Sequence, residues 1–187
     1  MDILAFGEIL WDVFPNKRVI GGAPFNFCAH LAALSADVSL VTALGEDALG
    51  KEAHERLNAL GVGGTFVGAT PCPTGFCRVS LDDLGKPSYD LVKNVSYDDI
   101  RLSGAARKSL KNRMFNALYF GTLACREQTS RDTLFELFSL CRFEHILFDV
   151  NIRQSYYTPE LLEEGLRRTT ILKVSREECG VFERCGL

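Results

Sequence analysis

Two short phrases near the N-terminus carry residue types that could grip a polar ligand. Gly7-Glu8-Ile9-Leu10-Trp11-Asp12 sets a carboxylate just past an apolar run, and Gly21-Gly22-Ala23-Pro24-Phe25-Asn26 opens a Gly-Gly turn into a helix. Glycines at such a corner leave no Cβ between backbone and ligand. Asn26 falls in the first helical turn, on the same rim as Asp12. A carboxylate, a carboxamide and exposed N–H groups together suit the vicinal hydroxyls of a sugar, each of which needs donors and acceptors in fixed directions. The same two side chains could equally cap local turns. The residue types alone leave both readings open.

Two glycine phrases are weaker candidates. Gly45-Glu46-Asp47-Ala48-Leu49-Gly50-Lys51-Glu52 has the spacing of a phosphate-binding P-loop up to its lysine, but Glu52 stands where a Ser or Thr hydroxyl would hold magnesium. Glu46 and Asp47 would place two carboxylates where phosphates must lie. An ordinary strand-to-helix turn is the better reading. Gly61-Val62-Gly63-Gly64 follows a helix rather than a strand, the wrong context for a dinucleotide fingerprint, so a nicotinamide-dependent oxidoreductase is not supported.

Composition bounds the partners. The 187 residues are 47% hydrophobic and 24% charged, enough for a core without disulfides or metal. A net charge of −3 offers no basic excess for a phosphate backbone, which argues against nucleic acid. The apolar stretches are far short of a membrane span, and the N-terminus lacks a basic flank and cleavable signal, so no membrane association is expected. The seven cysteines are scattered without zinc-finger spacing; Cys72/Cys77 and Cys179/Cys185 are the closest pairs. Reduced, mostly buried thiols in a cytoplasmic protein are the expectation.

These candidates must be held by an alternation of strand-like and helix-period segments. Strands are expected at Ile3–Gly7, Val38–Leu44, Ala117–Gly121, His145–Val150 and Ile171–Val174. Helices are expected at Pro24–Leu34, Ala48–Leu60 (stopped by Gly61), Ser130–Cys141, Pro159–Arg168 and about Arg176–Arg184, ending at Gly186. Between Thr74 and Val92 the pattern alternates around a polar turn, Asp82 to Pro87, which reads as an antiparallel hairpin flapping over the sheet edge. The whole is an α/β fold, a mostly parallel sheet with helices on both faces. In such sheets ligands sit beyond the carboxyl ends of the strands.

The phrase Gly21 to Cys28, followed by Ser35 and Gly45, resembles the N-terminal signature of the ribokinase-like (PfkB) carbohydrate kinases, most closely the fructokinases. Gly7-Glu8…Asp12, Val41 to Asp47 with Gly50, Asp149-Val150-Asn151-Ile152-Arg153 and Lys173-Val174-Ser175-Arg176-Glu177-Glu178 agree with it in family order. Cys28 departs from the usual Ser, Thr or Ala, and Ser175 stands where many relatives carry Asn.

The resemblance implies a ribokinase-like fold with a small β lid, its segments at about 12–20 and 73–96, closing over a sugar. It implies that Asp12, Gly22 and Asn26 grip the sugar hydroxyls, with Gly21 shaping the turn, and that Thr122 to Ala124 and Asn151 line the same pocket. Arg153 would lie near the transferred phosphate, where a guanidinium binds oxygens in pairs. Lys173 and Ser175 would lie near the phosphates of ATP, and Glu178 would organise Mg2+ through water. Read alone, Glu178 is a solvated first-turn carboxylate favoured by the helix dipole. A lid-mediated homodimer is a further implication.

The family's second signature holds an Asp that takes the proton from the sugar hydroxyl, beside a Gly-rich helix N-terminus. No Asp-Thr-x-Gly-Ala-Gly-Asp-like phrase occurs before Leu187, so the resemblance places the family's catalytic base beyond that residue. The chain is therefore expected to be the N-terminal, sugar-binding portion of one kinase domain, without the C-terminal strands and nucleotide half, and inactive alone. An amputated enzyme would expose an apolar sheet edge. The alternative is a non-catalytic sugar-binding or interaction module.

Overall fold

The computed structural model describes residues 1–81 and 87–187. Its centre is a six-stranded, all-parallel sheet in the order β10-β9-β8-β1-β4-β5. The strands are β1 (Asp2–Phe6), β4 (Asp37–Gly45), β5 (Val67–Thr70), β8 (Met114–Gly121), β9 (Arg142–Asp149) and β10 (Ile171–Lys173). A second sheet, β3-β2-β6-β7, joins β2 (Leu10–Val13), β3 (Arg18–Gly21), β6 (Phe76–Leu81) and β7 (Pro87–Leu91).

Alternation along β1 divides the core. Ile3 and Ala5 face one layer, where they join Phe25 and Cys28 of α1 (Ala23–Ala33) and Ala53 and Leu57 of α2 (Ala48–Ala59). Leu4 and Phe6 face the other. There they meet Leu110 of α3 (Gly104–Leu110), Leu134 and Leu137 of α4 (Gln128–Leu140), Leu161 and Leu162 of α5 (Pro159–Arg168) and Val181 of α6 (Arg176–Cys185). A strand buried on both faces is apolar throughout, as the Ile3-Leu4-Ala5-Phe6 run is. At one sheet edge, Ile171 and Leu172 of β10 remain exposed.

The helices end where local chemistry dictates. Pro159 opens α5 behind the Thr158 cap, and Gly186 closes α6 in the left-handed conformation. The Leu187 amide then turns back to the Phe182 carbonyl at 3.0 Å. Asp47 caps α2 by accepting the Gly50 amide at 2.7 Å, and it also takes the Thr74 amide and hydroxyl. The P-loop-like phrase is thus an ordinary turn whose helix terminus already holds a carboxylate. All seven cysteines are free thiols.

Three elements depart from the expected pattern. The alternating segment is not a lone flap: β6 and β7 form the antiparallel pair, but β6 also pairs in parallel with β2, so a second hairpin, β2–β3, completes a four-stranded lid. Of the polar turn expected at Asp82–Pro87, residues 82–86 lie outside the described residues and Pro87 is the first residue of β7. Neither β5 nor α3 is signalled by the sequence pattern; Val67-Gly68-Ala69-Thr70 has no alternation, and α3 is too short for a helical period to register.

Candidate active site

The two sheets enclose a cavity of about 880 Å³ beyond the carboxyl ends of β1, β8, β9 and β10. From the lid come Leu10, Asp12, Cys77, Tyr89 and Leu91; from the α1 turn Gly22, Ala23, Asn26 and Phe27. The opposite wall is Asp149, Asn151 to Gln154, and Lys173. Asp12 and Asn26 therefore share one hollow, although Asp12 belongs to lid strand β2 rather than to the end of β1.

Gly22 makes the close approach possible. Its φ is +110°, and a Cβ built there would sit 2.4 Å from the Glu8 carbonyl oxygen. Only glycine tolerates both that dihedral and that contact. A Cβ on Gly21 would lie 3.1 Å from Asp12 Oδ2, so this corner also leaves room for the carboxylate. Among the described residues no side chain or amide is hydrogen-bonded to the Asp12 carboxylate, and the same holds for the guanidinium of Arg153. Burial raises the Asp12 carboxyl above its ordinary value, and the nearby Arg153 charge opposes that rise. An acceptor and a donor thus face the cavity with no bonded partner among the described residues.

The loop after β9 is built to present its side chains. Asn151 and Gln154 both occupy left-handed backbone, at φ 41° and 53°. Non-glycine residues rarely do so unless the surroundings impose it, and such strain gathers at ligand sites. Glu178 fixes the loop from behind: its Oε1 accepts the Ile152 amide at 2.6 Å and its Oε2 the Ser175 amide at 2.7 Å. Burial alone would raise Glu178, but these two N–H bonds outweigh it and hold the carboxyl below the usual range. On the cavity side, Gln154 donates to the Tyr89 carbonyl of the lid at 3.3 Å.

The expected site residues divide accordingly. Asp12, Gly22, Asn26, Asn151, Arg153 and Lys173 line the cavity, and Gly21 abuts Asp12. Of the expected segment Thr122 to Ala124, only Leu123 lines it; Thr122, fully buried, donates to the Val150 carbonyl at 2.8 Å, bracing the ends of β8 and β9. Ser175 and Glu178 also stand off the wall, as the reciprocal cap of α6. Glu178 keeps lone pairs for a water but is no open metal ligand, and the described residues hold no cluster of three or more metal-ligating side chains. Leu187, beyond which the family's base is expected, is itself no part of the site. It is an exposed apolar side chain just past α6 and does not line the cavity.

Three groups carry no signal of their own role in the sequence. Asp149, nearly buried, accepts the Tyr119 hydroxyl at 2.7 Å and the Lys173 ammonium at 2.7 Å. Burial, followed by that bond to Asp149, raises the Tyr119 hydroxyl well above its ordinary value. Glu8, only 3% exposed, gives Oε1 to the Ala23 amide at 3.1 Å. What could have marked both acids is a carboxylate at the very end of an apolar strand, where burial is complete and a cleft begins.

The lid is anchored by a buried cation. Arg126 donates to both carboxylate oxygens of Asp98, at 2.7 and 2.8 Å, and to the Val92 carbonyl at 2.6 Å. Its guanidinium lies over the rings of both Tyr97 and Tyr156, 4.9 and 4.7 Å from their centroids. On the other side, the Trp11 indole donates to the Leu49 carbonyl at 3.1 Å, tying β2 to α2.

A parallel α/β sheet with a small β sheet over a polar-lined cavity is the architecture of the ribokinase-like carbohydrate-kinase fold. The chain belongs to the pfkB family of carbohydrate kinases, whose model matches residues 3–184. It is 26% identical, over 186 residues, to the putative sugar kinase PH1459 of Pyrococcus horikoshii, covering 95% of this chain. It spans 59% of that relative's length. Described as an uncharacterized sugar kinase, the same protein matches in its crystal structure with a TM-score of 0.84 at 23% identity, over 100% of this chain and 66% of that one. Its ATP complex matches equally well, with a TM-score of 0.84 and 23% identity, over 99% and 67%. The apo fructokinase of Vibrio cholerae O395 matches with a TM-score of 0.82 at 20% identity, over 95% and 65%. At these identities the structures share the fold.

Proposed function

We propose that this chain carries the sugar-binding part of an ATP-dependent carbohydrate kinase of fructokinase type. The observation that carries the reading is the convergence of Asp12, Gly22 and Asn26 with Asn151 and Arg153 on one cavity. Asp12 and Asn26 would hold the sugar hydroxyls while Gly22 lets the backbone approach. Arg153 would meet the phosphate being transferred to a hydroxymethyl oxygen. Phosphoryl transfer depends on positioning and charge stabilisation, so a guanidinium on that wall, unbonded among the described residues, suits it.

ATP and Mg2+ belong to the proposal. Lys173 and Arg153 give the cavity wall two cations that suit phosphate oxygens, although Lys173 is already paired with Asp149. Bound Mg2+ would neutralise phosphate charge; Glu178 would reach it only through water. Fructose is the proposed sugar, since the phrases around Asp12 and Gly21 to Cys28 are fructokinase-like. A lid-mediated dimer fits the exposure of Val19 and Tyr89 on the small sheet.

The test is calorimetric titration of the 187-residue chain with D-fructose, D-ribose and 2-keto-3-deoxygluconate, beside a coupled ADP-release assay. Fructose binding that is lost in Asp12→Asn, with little turnover, supports the reading. Absence of binding by all three sugars overturns it, and robust sugar-dependent ADP release overturns the expected inactivity.

A further inference from the structure

Among the described residues, three carboxylates line the cavity: Glu8, Asp12 and Asp149. Asp149 is neutralised by Lys173 and held by Tyr119. Asp12 faces Arg153 from the lid. Glu8 differs from both. It lies at the cavity floor, 3% exposed, beneath the Gly22 corner, and lines the cavity. Its Oε1 accepts from the Ala23 amide, and besides its own residue's N–H no other group among the described residues is bonded to the carboxyl.

We propose that Glu8 is a specificity-determining residue that donates a hydrogen bond from its protonated Oε2 to a substrate hydroxyl. The inference rests on the sugar reading and adds to it. Asp12 and the Glu8 Oε1 already supply acceptors, whereas a hydroxyl also needs a donor for its own lone pairs. A carboxyl kept neutral in a buried site can act as that donor.

The groups facing Glu8 agree. Asp149 at the end of β9 raises its affinity for a proton, while Arg153 in the following loop opposes this across the cavity. Tyr119 on β8, Cys125 beyond it and Tyr97 at the lid's foot are themselves pushed upward, chiefly by burial, and are neutral at ordinary pH. Burial raises Glu8 to about 7, against the N–H groups of its own residue and Ala23. Among the described residues no histidine lines the cavity. A proton taken up on binding near pH 7 therefore goes to Glu8, and any dependence on Asp12 ionisation would run the other way, strengthening binding as pH rises.

The experiment is titration of the 187-residue chain with D-fructose and D-ribose from pH 6 to pH 8, in two buffers of different ionisation enthalpy. Wild type is expected to take up protons and to lose about tenfold in affinity over that range, as follows from one group titrating near 7. Glu8→Gln keeps an oxygen for Ala23 and an N–H for the ligand, so its affinity should stay within about twofold across the range. Wild-type binding that is independent of pH, without proton exchange, overturns the inference and leaves the sugar reading standing. Glu8→Gln that loses sugar while retaining its circular dichroism also overturns it. Failure of both sugars to bind at every pH removes the sugar reading and this inference together. Should the variant fail to fold, the wild-type proton count decides.

Discussion

Lys173 and Asp149 are register partners on the neighbouring strands β10 and β9, and the lysine ammonium lies 2.7 Å from Asp149 Oδ1. Both stand at the carboxyl end of their strands and both line the cavity. The pair joins a cation suited to phosphate with a carboxylate that also takes the Tyr119 hydroxyl. The charges of Asp149 and Lys173 thus offset each other, leaving Asp12 and Arg153 as charged side chains with no bonded partner among the described residues.

Asp12→Asn should weaken sugar binding far more than it weakens the fold. Hydrogen bonds to a charged group are worth about 1.5–3 kcal/mol each, so a loss of tenfold or more in affinity is expected. The variant should keep its urea midpoint, because no described group bonds to the Asp12 carboxylate, whose backbone pairing in β2 the substitution leaves intact. Calorimetry beside urea unfolding separates the two effects. Equal losses in both would assign Asp12 a structural role.

Gly22→Ala should cost stability outright. The new Cβ would lie 2.4 Å from the Glu8 carbonyl oxygen on a backbone at φ +110°. Strain of this kind costs about 1–3 kcal/mol, and forced overpacking about as much again. Chemical denaturation should show a lower midpoint with an unchanged slope. A neutral substitution would mean that the α1 corner can open.

Removing Arg126 should loosen the lid before anything else. Its guanidinium is nearly inaccessible and bonded to Asp98, and breaking a buried pair on one side costs about 3–5 kcal/mol. Arg126→Met should thus be strongly destabilising, and adding Asp98→Asn should recover part of the loss. Hydrogen exchange in β7 checks the location, since Val92 and Tyr156 both contact Arg126. Protection of β7 that matches wild type would refute the anchoring role.

Two carboxyls predict opposite pH dependences. Glu178 sits below its ordinary 4.5, so the stability it contributes is present above that value and lost on acidification. Glu8 lies above 4.5, at about 7, so the folded state holds its proton more tightly and stability falls as pH rises between those values. Unfolding curves should show Glu178→Gln less stable than wild type at pH 6, with the gap narrowing as the pH falls below 4.5. Glu8→Gln should gain on wild type between pH 4.5 and pH 8. Parallel pH profiles for the two variants and wild type would contradict both assignments.

Much of the sheet could be read from the chain itself. Apolar runs such as Ile3 to Phe6 are strands because both of their faces are covered, and caps such as Thr158 and Ser175 act on amides only three residues away. The residues around Asp47 read as an ordinary turn rather than a phosphate cradle, and the structure adds that Asp47 caps α2. The lid was half legible. β6 and β7 alternate visibly, but Leu10 to Val13 and Arg18 to Gly21 are four-residue strands whose reason to exist is the pairing of β2 with β6 and with β3.

The sequence by itself determined which residues were chemically equipped, because Asp12, Gly22 and Asn26 keep their types wherever the chain runs. Tertiary structure alone decided which of them meet and which are already engaged. It drew Asp12 over the cavity on the lid, turned the Thr122 hydroxyl to Val150, and closed Glu178 onto Ile152 and Ser175. It also buried Glu8 and Asp149 at the cavity floor. The physical reason is that burial and hydrogen-bond partnership arise between segments distant in the chain, so a carboxylate's charge state is a property of its packing rather than of its neighbours in sequence.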